Sequence, residues 1–397
     1  MFIREKLNLT NPNLPRFKTR KGRDMSFFVM MLIIVIAAIA VVYKTLTGYM
    51  AFSSVSKIAI LLLLTLSWFA PVWLRFMRRF GDGFNGTLYD VFYKFGYFMM
   101  GFVLILSMLI IARDIVWYIL YWCSGKADVL NPNHAHTINV LNVIVLCISL
   151  LLSGYGFFEA HQMLDIKSIH IKDARVKEKT TFVVASDLHI NKATPVWHIQ
   201  NMIDAINAQN PDYILLVGDI ADDLPNKALN KVKMLSELQA KKIYISLGNH
   251  EYYNHPYVWM TEFSKLNFEV LQNSGQYLEN TGIYVAGVPD VSSAPVNYVR
   301  AFSGANNAYR ILLSHAPTDF KHADKRLFDI QFSGHTHGGQ IFPFQFITKK
   351  ANDGYLSGLY ETDKTYLFVM RGMGYWGPPM RLFAKPDFVV LTLEPHQ

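Results

Sequence analysis

Cysteine is scarce in this chain and absent from its carboxy-terminal part. Only two cysteines occur among the 397 residues, Cys123 and Cys147. The residues after Cys147 therefore cannot form a disulfide scaffold among themselves and have no thiolate chemistry. Any metal bound there must take its ligands from histidine, aspartate and asparagine, which favours manganese, iron or zinc over a cysteine-held zinc site.

Charged residues are also sparse over roughly the first 160 residues, in contrast to the remainder. Four apolar segments in this region are long enough to cross a bilayer, which takes about 20 helical residues. Arg113 and Asp114 interrupt the third segment, which either ends at Ala112 or runs on through Ile115–Tyr121. The four predicted membrane spans are Met25–Tyr43, Ile58–Leu74, Tyr97–Ala112 and Ile138–Phe158.

Lysine and arginine are distributed unevenly around these segments. The amino-terminal arm and the loop after the second segment are basic, whereas the other two loops have little positive charge. Because basic loops remain on the cytoplasmic side, we predict that both termini and the globular part are cytoplasmic. The net charge of +8 agrees with a position near anionic lipid. We expect no nucleic-acid partner, since the basic runs flank the apolar segments.

After the apolar region, the sequence alternates between strand and helix patterns. Runs such as "TFVVAS" and "DYILLV" alternate with amphipathic stretches, which is typical of a layered α/β domain. The predicted divisions are a basic cytoplasmic arm (1–24), a transmembrane region of about four helices (25–160), a linker with a first, half-buried strand (161–180) and the α/β domain (181–397).

Polar residues follow most of the predicted strands, in the blocks "SDLH", "GDIADD", "GNHE", "SHA" and "GHTH". Because ligands of α/β sheets bind outside the carboxyl ends of the strands, we expect these blocks to meet at one rim. Seven groups there exceed what one cation needs. The candidate metal ligands are Asp187, His189, Asp219, Asn249, His315, His335 and His337.

Two metal ions about 3.5–4 Å apart can share a carboxylate, activate a bridging water and hold the oxygens of a phosphoryl group. Asp219 suits the bridging position, because Gly218 allows a tight turn before it. Asn249 lowers the negative charge of the site, which favours entry of a phosphate. We expect Asp222 to orient a ligand histidine from outside the metal ligands.

In this order, the five blocks resemble the calcineurin-like metallophosphoesterase superfamily, over about Thr181 to Thr392. The resemblance implies a layered β-sandwich flanked by helices, here after a four-helix transmembrane region. It implies two divalent ions, with manganese expected before iron or zinc, and catalytic roles for Asn249 and His250. His250 would contact the phosphate and protonate the leaving oxygen. The implied ligands are Asp187, His189, Asp219 and His337 for one metal, and Asp219, Asn249, His315 and His335 for the other.

The longer stretches "GHTHGGQIFPF" and "RGMGYWGPPMRLFAKPDFVVLTL" resemble a bacterial branch of this superfamily, in which transmembrane helices precede the phosphoesterase. That branch includes enzymes acting on UDP-2,3-diacylglucosamine. It implies a multi-pass protein of the bacterial inner (cytoplasmic) membrane, with membrane lipids and a phosphorylated small molecule or lipid as partners. We expect no protein partner. Ile190-Asn191 and Pro386-Asp387 depart from the pattern of the branch without touching a ligand, so the substrate stays open.

Two further features have two interpretations each. Arg371 and Arg381 are candidates for binding substrate phosphate, because guanidinium matches phosphate bidentately, but either could form a structural salt bridge. The aromatic stretches "IFPFQFI" and "GYWGPP" suit either a core or an apolar loop that contacts lipid.

The leading functional hypothesis is a membrane-anchored dimetal phosphohydrolase that cleaves a phosphodiester or pyrophosphate of a lipid-linked or nucleotide-linked substrate. Attack would come from a metal-activated hydroxide. The first alternative is a phosphodiesterase of soluble or cyclic nucleotides. The second is a non-enzymatic membrane sensor or transport module with a regulatory phosphoesterase-like domain, which predicts ionisable residues along the membrane spans.

Overall fold

The structure is a computed structural model that describes residues 21–48, 52–80, 86–126, 128, 131, 134–162 and 164–396. It consists of a helical part followed by an α/β part. Residues 1–20 of the predicted basic arm lie outside the described residues, and residues 21–24 open the first helix. The described helices of the helical part are α1 (Lys21–Thr47), α2 (Ser54–Trp68), α3 (Ala70–Phe80), α4 (Gly86–Cys123) and α5 (Ala135–Gln162).

Two of the described helices are long and apolar enough to cross a membrane. They correspond to Asp90–Cys123 of α4 and to the whole of α5, whereas the apolar stretches Val35–Thr47 and Ser54–Trp68 are shorter. The prediction of four transmembrane helices was therefore wrong. The predicted third and fourth spans lie within α4 and α5. The first lies within α1, whose described apolar stretch Val35–Thr47 is too short for a span, and the second is divided between α2 and α3.

The break in the second predicted span has a clear physical cause. Its residues are divided between α2 and α3 at Phe69, which leaves helical geometry with φ −93° and ψ 16°. Pro71 follows in the first turn of α3, where its missing N–H is tolerated, whereas inside a longer helix it would clash with the preceding turn. The 15 residues of α2 reach about 22 Å, less than the ~30 Å of a hydrocarbon core.

Of the two bounds considered for the third span, the structure has the longer one, because α4 continues through Arg113 and Asp114. Arg113 Nη2 lies 2.5 Å from Asp114 Oδ1. The Arg113 Nη1–H donates to Asn142 Oδ1 of α5 at 2.6 Å. These contacts pair the charges within the helical part and join α4 to α5.

The described α/β part contains two six-stranded sheets. The strands are β1 (Asp165–Asp173), β2 (Thr180–Ala185), β3 (Tyr213–Val217), β4 (Lys242–Ser246), β5 (Phe268–Val270), β6 (Ser274–Leu278), β7 (Ile283–Gly287), β8 (Tyr309–Leu313), β9 (Ile330–Ser333), β10 (Gly358–Thr362), β11 (Thr365–Val369) and β12 (Asp387–Pro395). The first sheet has the order β1-β12-β2-β3-β4-β5 and the second the order β10-β11-β9-β8-β7-β6. Neighbouring strands from β2 to β5 are parallel, as are β7, β8, β9 and β11.

The core between the sheets follows from the alternation of side chains along each strand. Phe182 and Leu215 from the first sheet join Ile311 and Phe332 from the second in one buried cluster. The α/β part of the predicted fold, a sandwich with flanking helices, is confirmed. The described helices of this part are α6 (Val196–Asn207), α7 (Pro225–Val232), α8 (Asn249–Tyr253), α9 (Pro256–Lys265), α10 (Tyr298–Ala301), α11 (Asp319–His322) and α12 (Gln345–Ala351).

Residues 374–384, called here the docking loop, connect the α/β part to the helical part. Met380 and Leu382 of the loop pack with Ile105 of α4 and with Ile341 in one buried cluster. A Cβ atom at Gly101 of α4 would lie 2.7 Å from the methyl carbon of Met380. Glycine at this position therefore allows α4 to approach the docking loop closely.

A buried carboxylate on α5 completes this junction. Glu159 is 0% exposed, and its Oε1 and Oε2 accept hydrogen bonds from the backbone N–H groups of Ala384 (2.8 Å) and Phe383 (3.1 Å). The carbonyl of Gly156, one turn earlier, accepts from the N–H of Arg381 at 2.9 Å. The sequence analysis missed Glu159, although a single acidic residue near the end of an apolar span is a signal of function or buried pairing.

Replacing Glu159 with alanine is expected to loosen the docking loop. The change leaves the N–H groups of Phe383 and Ala384 without acceptors, at a cost of about 1–3 kcal/mol for each buried group. Hydrogen exchange of the full chain in detergent, read for peptides covering the loop, should speed up in Glu159→Ala. The exposed neighbour Phe158 provides the matched control, since Phe158→Ala should leave exchange in the loop unchanged. Equal exchange in both variants would contradict this account of the junction.

Candidate metal centre

The predicted ligand residues meet at one rim of the sandwich, at the carboxyl ends of the strands. Asp187 follows β2, Asp219 follows β3, and Asn249 follows β4 as the first residue of α8. His315 follows β8, and the "GHTH" block follows β9. Six of the seven residues are buried, and His335 is half-buried. The expectation that these distant blocks converge is met by the structure.

The side chains form two groups. The ligand atoms of Asp187, His189 and His337 lie within 4.8 Å of one another, and so do those of Asp219, His315 and His335. These groups correspond to the two ligand sets that the family resemblance implies.

Asp219 and Asn249 complete the two sets. Asp219 Oδ2 is 3.1 Å from His315 Nε2 and 3.9 Å from His189 Nε2, so this carboxylate lies between the groups. Asn249 Oδ1 is 2.9 Å from His335 Nδ1, which adds the amide to the second group. The position of Asp219 agrees with the expected bridging role.

The donor atoms fit metal ions better than they fit one another. His189 Nε2 and His337 Nε2 face each other at 2.9 Å. In the described part of the chain, the buried His315 Nε2 has Asp219 Oδ2 at 3.1 Å but no hydrogen bond of good angular geometry. Unpaired buried polar atoms are costly, whereas imidazole, carboxylate and amide groups are suitable ligands for divalent first-row metals. The residues present therefore fit the two cations implied by the sequence.

Backbone conformation marks the same residues. Five of the seven candidate ligands have positive φ: Asp187 (53°), His189 (49°), Asp219 (54°), His335 (72°) and His337 (50°). Residues other than glycine rarely adopt positive φ, because this backbone conformation is strained for them. Such backbone strain persists where the surrounding structure enforces it, as in functional sites. Gly218, at φ 74°, allows the expected tight turn before Asp219.

The electrostatics of the site favour ionised carboxylates. Burial alone would raise the pKa of Asp187 and Asp219, but the surrounding histidines outweigh it and lower the pKa of both carboxyls.

The four ligand imidazoles divide into two pairs. Burial lowers the pKa of His335 and His337. Burial also opposes the charged form of His189 and His315, but the neighbouring carboxylates outweigh it and raise the pKa of both, that of His315 to about 10. Because the neutral imidazole is the form that binds a metal, metal binding at His189 and His315 would release a proton.

Asp222 joins a metal-ligand histidine to His250. His189 Nδ1–H and His250 Nδ1–H both donate to Asp222 Oδ1, at 2.5 and 2.7 Å. Burial opposes ionisation of Asp222, but the two histidines lower its pKa to about 2. Burial likewise opposes the charged form of His250, yet the Asp222 carboxylate raises the pKa of His250. Asp222 thus has the orienting position that the sequence analysis expected.

Glu251 is a functional residue that the sequence analysis quoted within "GNHE" but did not interpret. It is 0% exposed, and its carboxylate accepts four backbone N–H groups, those of Asp219, Ile220, Ala221 and Gly248, at 2.7–3.0 Å. One side chain therefore holds together the loops that follow β3 and β4. The available signal was an acidic residue at the third position of a helix start, where it caps backbone N–H groups.

The predicted substrate-binding role of Arg381 is not supported by its surroundings. Its side chain is 0% exposed and donates to backbone carbonyls, including those of Gly374 (2.6 Å), Ala384 (2.9 Å) and His337 (3.2 Å). Nη2 also lies 3.1 Å from His337 Nδ1. Arg381 thus positions the docking loop against a ligand histidine, and its donors are directed at the protein.

Arg371 forms the salt bridges that were the alternative to substrate binding. Arg371 Nε lies 3.4 Å from Asp387 Oδ2, and its Nη2 lies 3.7 Å from Asp165 Oδ2. A Cβ atom at Gly338, beside His337, would lie 2.9 Å from the Arg371 side chain. Arg371 is therefore close to the metal-ligand loop, and its contact with a substrate phosphate stays a prediction.

Two exposed aromatic side chains flank His250. The ring of Tyr253, which is 70% exposed, lies 5.6 Å from the His250 ring, and the ring of Trp376, 58% exposed, lies 6.3 Å away. Tyr252 instead donates its hydroxyl to Gln272 Oε1 at 2.7 Å and is half-buried. Of the neighbouring residues Tyr252 and Tyr253, Tyr253 thus lies at the rim of the site.

Replacing Glu251 with glutamine is expected to weaken metal binding without preventing folding. The amide keeps one acceptor oxygen but places an NH2 group against backbone N–H donors. Loss of such supporting contacts typically lowers metal affinity about 10- to 100-fold. Calorimetric titration of the metal-free full chain with Mn²⁺ measures the change. The control is Glu262→Gln on α9, where Glu262 forms an ion pair with Lys265. This variant should bind Mn²⁺ as the parent does. Unchanged affinity in Glu251→Gln would show that the loops hold their geometry without this carboxylate.

Comparison with known proteins agrees with this geometry. A profile described as calcineurin-like phosphoesterase matches residues 180–339. A Campylobacter jejuni protein named as a metallophosphoesterase is 32% identical over 73% of this chain and 78% of its own length. A Danio rerio protein named "Transmembrane protein with metallophosphoesterase domain" is 28% identical over 64% of this chain and 62% of its own.

Among solved structures, a 5′-nucleotidase precursor from Thermus thermophilus has 14% identity and a TM-score of 0.35, over 54% of each chain. The sequence relationship to the C. jejuni protein extends over most of both chains. This chain therefore belongs to the calcineurin-like metallophosphoesterase family and is a metal-dependent phosphoesterase.

Proposed function

We propose that this phosphoesterase binds two divalent metal ions and hydrolyses a phosphodiester or pyrophosphate bond of a lipid-linked or nucleotide-linked substrate at a membrane. The observation that carries the proposal is the pair of ligand groups with Asp219 between them. Manganese is the metal expected first from the family resemblance, and the imidazole, carboxylate and amide ligands also suit iron and zinc. When bound, two such ions supply Lewis acidity and a hydroxide nucleophile near neutral pH.

The residues of the chain supply the remaining chemistry. Asp222 holds the Nδ1–H of His250, so the Nε2 atom of His250 is the one that faces Asp219, at 3.9 Å. The raised pKa of His250 keeps a proton available there for the leaving oxygen. Asn249 contributes an uncharged ligand oxygen, which leaves the site less repulsive to an anionic phosphate.

The membrane location is supported by α4 and α5. The docking loop contacts α4 near Gly101 and α5 near Gly156. The carboxy-terminal part of α4 and the amino-terminal part of α5 therefore extend beyond these contacts with the α/β part. The connection between the two helices (residues 124–134) contains only one basic residue, Lys126, whereas residues 75–94 contain four. This distribution favours a hairpin with the α/β part on the cytoplasmic side. The name of the Danio rerio relative includes the word transmembrane.

A second candidate function is hydrolysis of a soluble nucleotide diester. The exposed rings of Tyr253 and Trp376 beside His250 favour it, because aromatic side chains stack on nucleobases. A nucleotide-linked lipid such as UDP-2,3-diacylglucosamine would use the same rings. The two candidates therefore differ in whether an acyl chain is needed.

The test uses the full chain in detergent, stripped of metal and then supplied with Mn²⁺, Fe²⁺ or Zn²⁺. Substrates are bis(p-nitrophenyl) phosphate, a cyclic nucleotide and UDP-2,3-diacylglucosamine. Asp219→Asn and His335→Gln should lose more than about 100-fold in turnover, exceeding the loss expected for an outer supporting residue. The control His170→Gln, at an exposed position of β1, should be unaffected. Metal-dependent turnover confined to the soluble diesters would discard the lipid substrate. Metal-loaded protein without turnover of any of the three substrates would refute the proposed reaction.

His250 is expected to act as the acid for the leaving group. His250→Ala should lower kcat about 10²- to 10⁴-fold for a nucleoside 5′-alkyl diester, whose alkoxide leaving group needs a proton. The loss should be much smaller for the matching 5′-p-nitrophenyl diester, because p-nitrophenolate leaves without one. Tyr253→Phe, at the same rim, serves as the control. Equal losses for both substrates would assign His250 to phosphate binding instead of proton transfer.

A further inference from the structure

Four large apolar side chains are exposed together on the α/β part. The exposed fractions are 43% for Phe342, 67% for Phe346, 65% for Ile347 and 68% for Phe383. The Phe342 ring lies 6.2 Å from the rings of both Phe346 and Phe383. These four residues are called here the aromatic patch. A cluster of this kind on a protein surface marks an interaction site more often than isolated apolar residues do.

The aromatic patch is continuous with the exposed surface of α5. The ring of Tyr155 lies 6.4 Å from that of Phe383. Along the same helix, Leu151 is 74% exposed and Phe158 is 52% exposed. One apolar surface therefore runs from a helix of membrane-spanning length onto the α/β part. Whatever surrounds α5 at this level also meets the patch.

Positive charge borders the patch. α12, which carries Phe346 and Ile347, ends with Lys349 and Lys350 in its last turn, and both lysines are exposed. The nearby carboxylate of Asp353 is 3.7 Å from Lys321 Nζ. Aromatic and aliphatic side chains next to lysines are the composition that binds the headgroup region of an anionic bilayer.

The patch is built on the two segments that form the metal centre. Phe342 N–H donates to the Leu382 carbonyl at 3.1 Å, and Leu382 N–H donates to the Gln340 carbonyl at 2.8 Å. The first segment begins at His337, five residues before Phe342. The second is the docking loop. An object bound by the patch is therefore held at a fixed position relative to the ligand histidine.

We propose that the aromatic patch, with Lys349 and Lys350, inserts into the headgroup region of the anionic bilayer that α4 and α5 cross. This inference rests on the membrane location given under Proposed function. The continuity with α5 and the bordering lysines favour lipid over a second copy of the chain as the occupant. Insertion places the rim of the metal centre at the membrane surface, where the phosphate of a lipid-linked substrate lies.

Spin labelling of single-cysteine proteins tests the insertion. The native Cys147 is exposed near the middle of α5, so the Cys123→Ser protein carries a label that reports whether α5 is in lipid. In the Cys123→Ser/Cys147→Ser background, Phe346→Cys reports the patch. Val299→Cys reports an exposed site on α10, away from the helical part. Each full-length protein is reconstituted in vesicles of phosphatidylcholine with phosphatidylglycerol, and label collisions with oxygen and with an aqueous nickel chelate are measured.

The expected result is a several-fold lower nickel collision rate at position 346 than at position 299, with a ratio of oxygen to nickel collisions that lies between the ratios at positions 299 and 147. Lys349→Glu/Lys350→Glu, or vesicles of phosphatidylcholine alone, should restore part of the nickel accessibility at position 346. As a check on folding, Phe346→Ser/Ile347→Ser should keep the parent rate for bis(p-nitrophenyl) phosphate in detergent.

The contrary outcomes separate the two proposals. A label at 346 as accessible to nickel as that at 299, with Cys147 in lipid, overturns insertion of the patch and leaves the membrane location intact. Aqueous labels at both 147 and 346 overturn the membrane location together with the patch. Shielding of position 346 from both reagents, with spin–spin broadening between copies, identifies the patch as an interface between two chains and overturns the lipid assignment.

Discussion

The structure depends on the burial of two ionised carboxylates among histidines at the ends of strands from two different sheets. Asp187 and Asp219 come from the first sheet, whereas His315 and His335 come from the second. Isolated buried charges are strongly unfavourable, so these groups are stable only when the two sheets pack in one register. The apolar core between the sheets supplies that register, and metal ions bound by both groups would add to it by linkage.

The strained backbone of the site is held by polar residues that do not themselves contact the proposed metals. Glu251 satisfies four N–H groups of two ligand loops, and Asp222 holds two histidines through one oxygen. Arg381 does the same for the loop of His337 by donating to carbonyl groups. Each ligand with positive φ therefore has a neighbour that fixes the loop in which it lies. The geometry is preorganised by these supports.

The sequence was sufficient for the site because its chemistry is local in the chain. Each block, such as "GDIADD", places a polar residue directly after a strand, and strand ends converge by a general rule of α/β sheets. The sequence was insufficient where the outcome depended on packing. The apolar character of Ile58–Leu74 predicted one membrane span, but with Pro71 in its sequence this segment is divided between α2 and α3. The sequence analysis did not consider Glu159 and interpreted Arg381 as a phosphate ligand or a salt-bridge residue. Only the folded chain shows that both bind backbone groups of the docking loop.

The docking loop links the apolar helices to the metal centre by a short chain of contacts. Gly156 and Glu159 of α5 bind the backbone of residues 381, 383 and 384. The Arg381 side chain then reaches the carbonyl of His337. Each step is a hydrogen bond, and those of Ala384 and Arg381 are buried, so a displacement of α5 would shift or break contacts around a ligand histidine. The apolar helices are therefore part of the support of the candidate metal centre, because the α5 carboxylate binds the loop that Arg381 joins to His337.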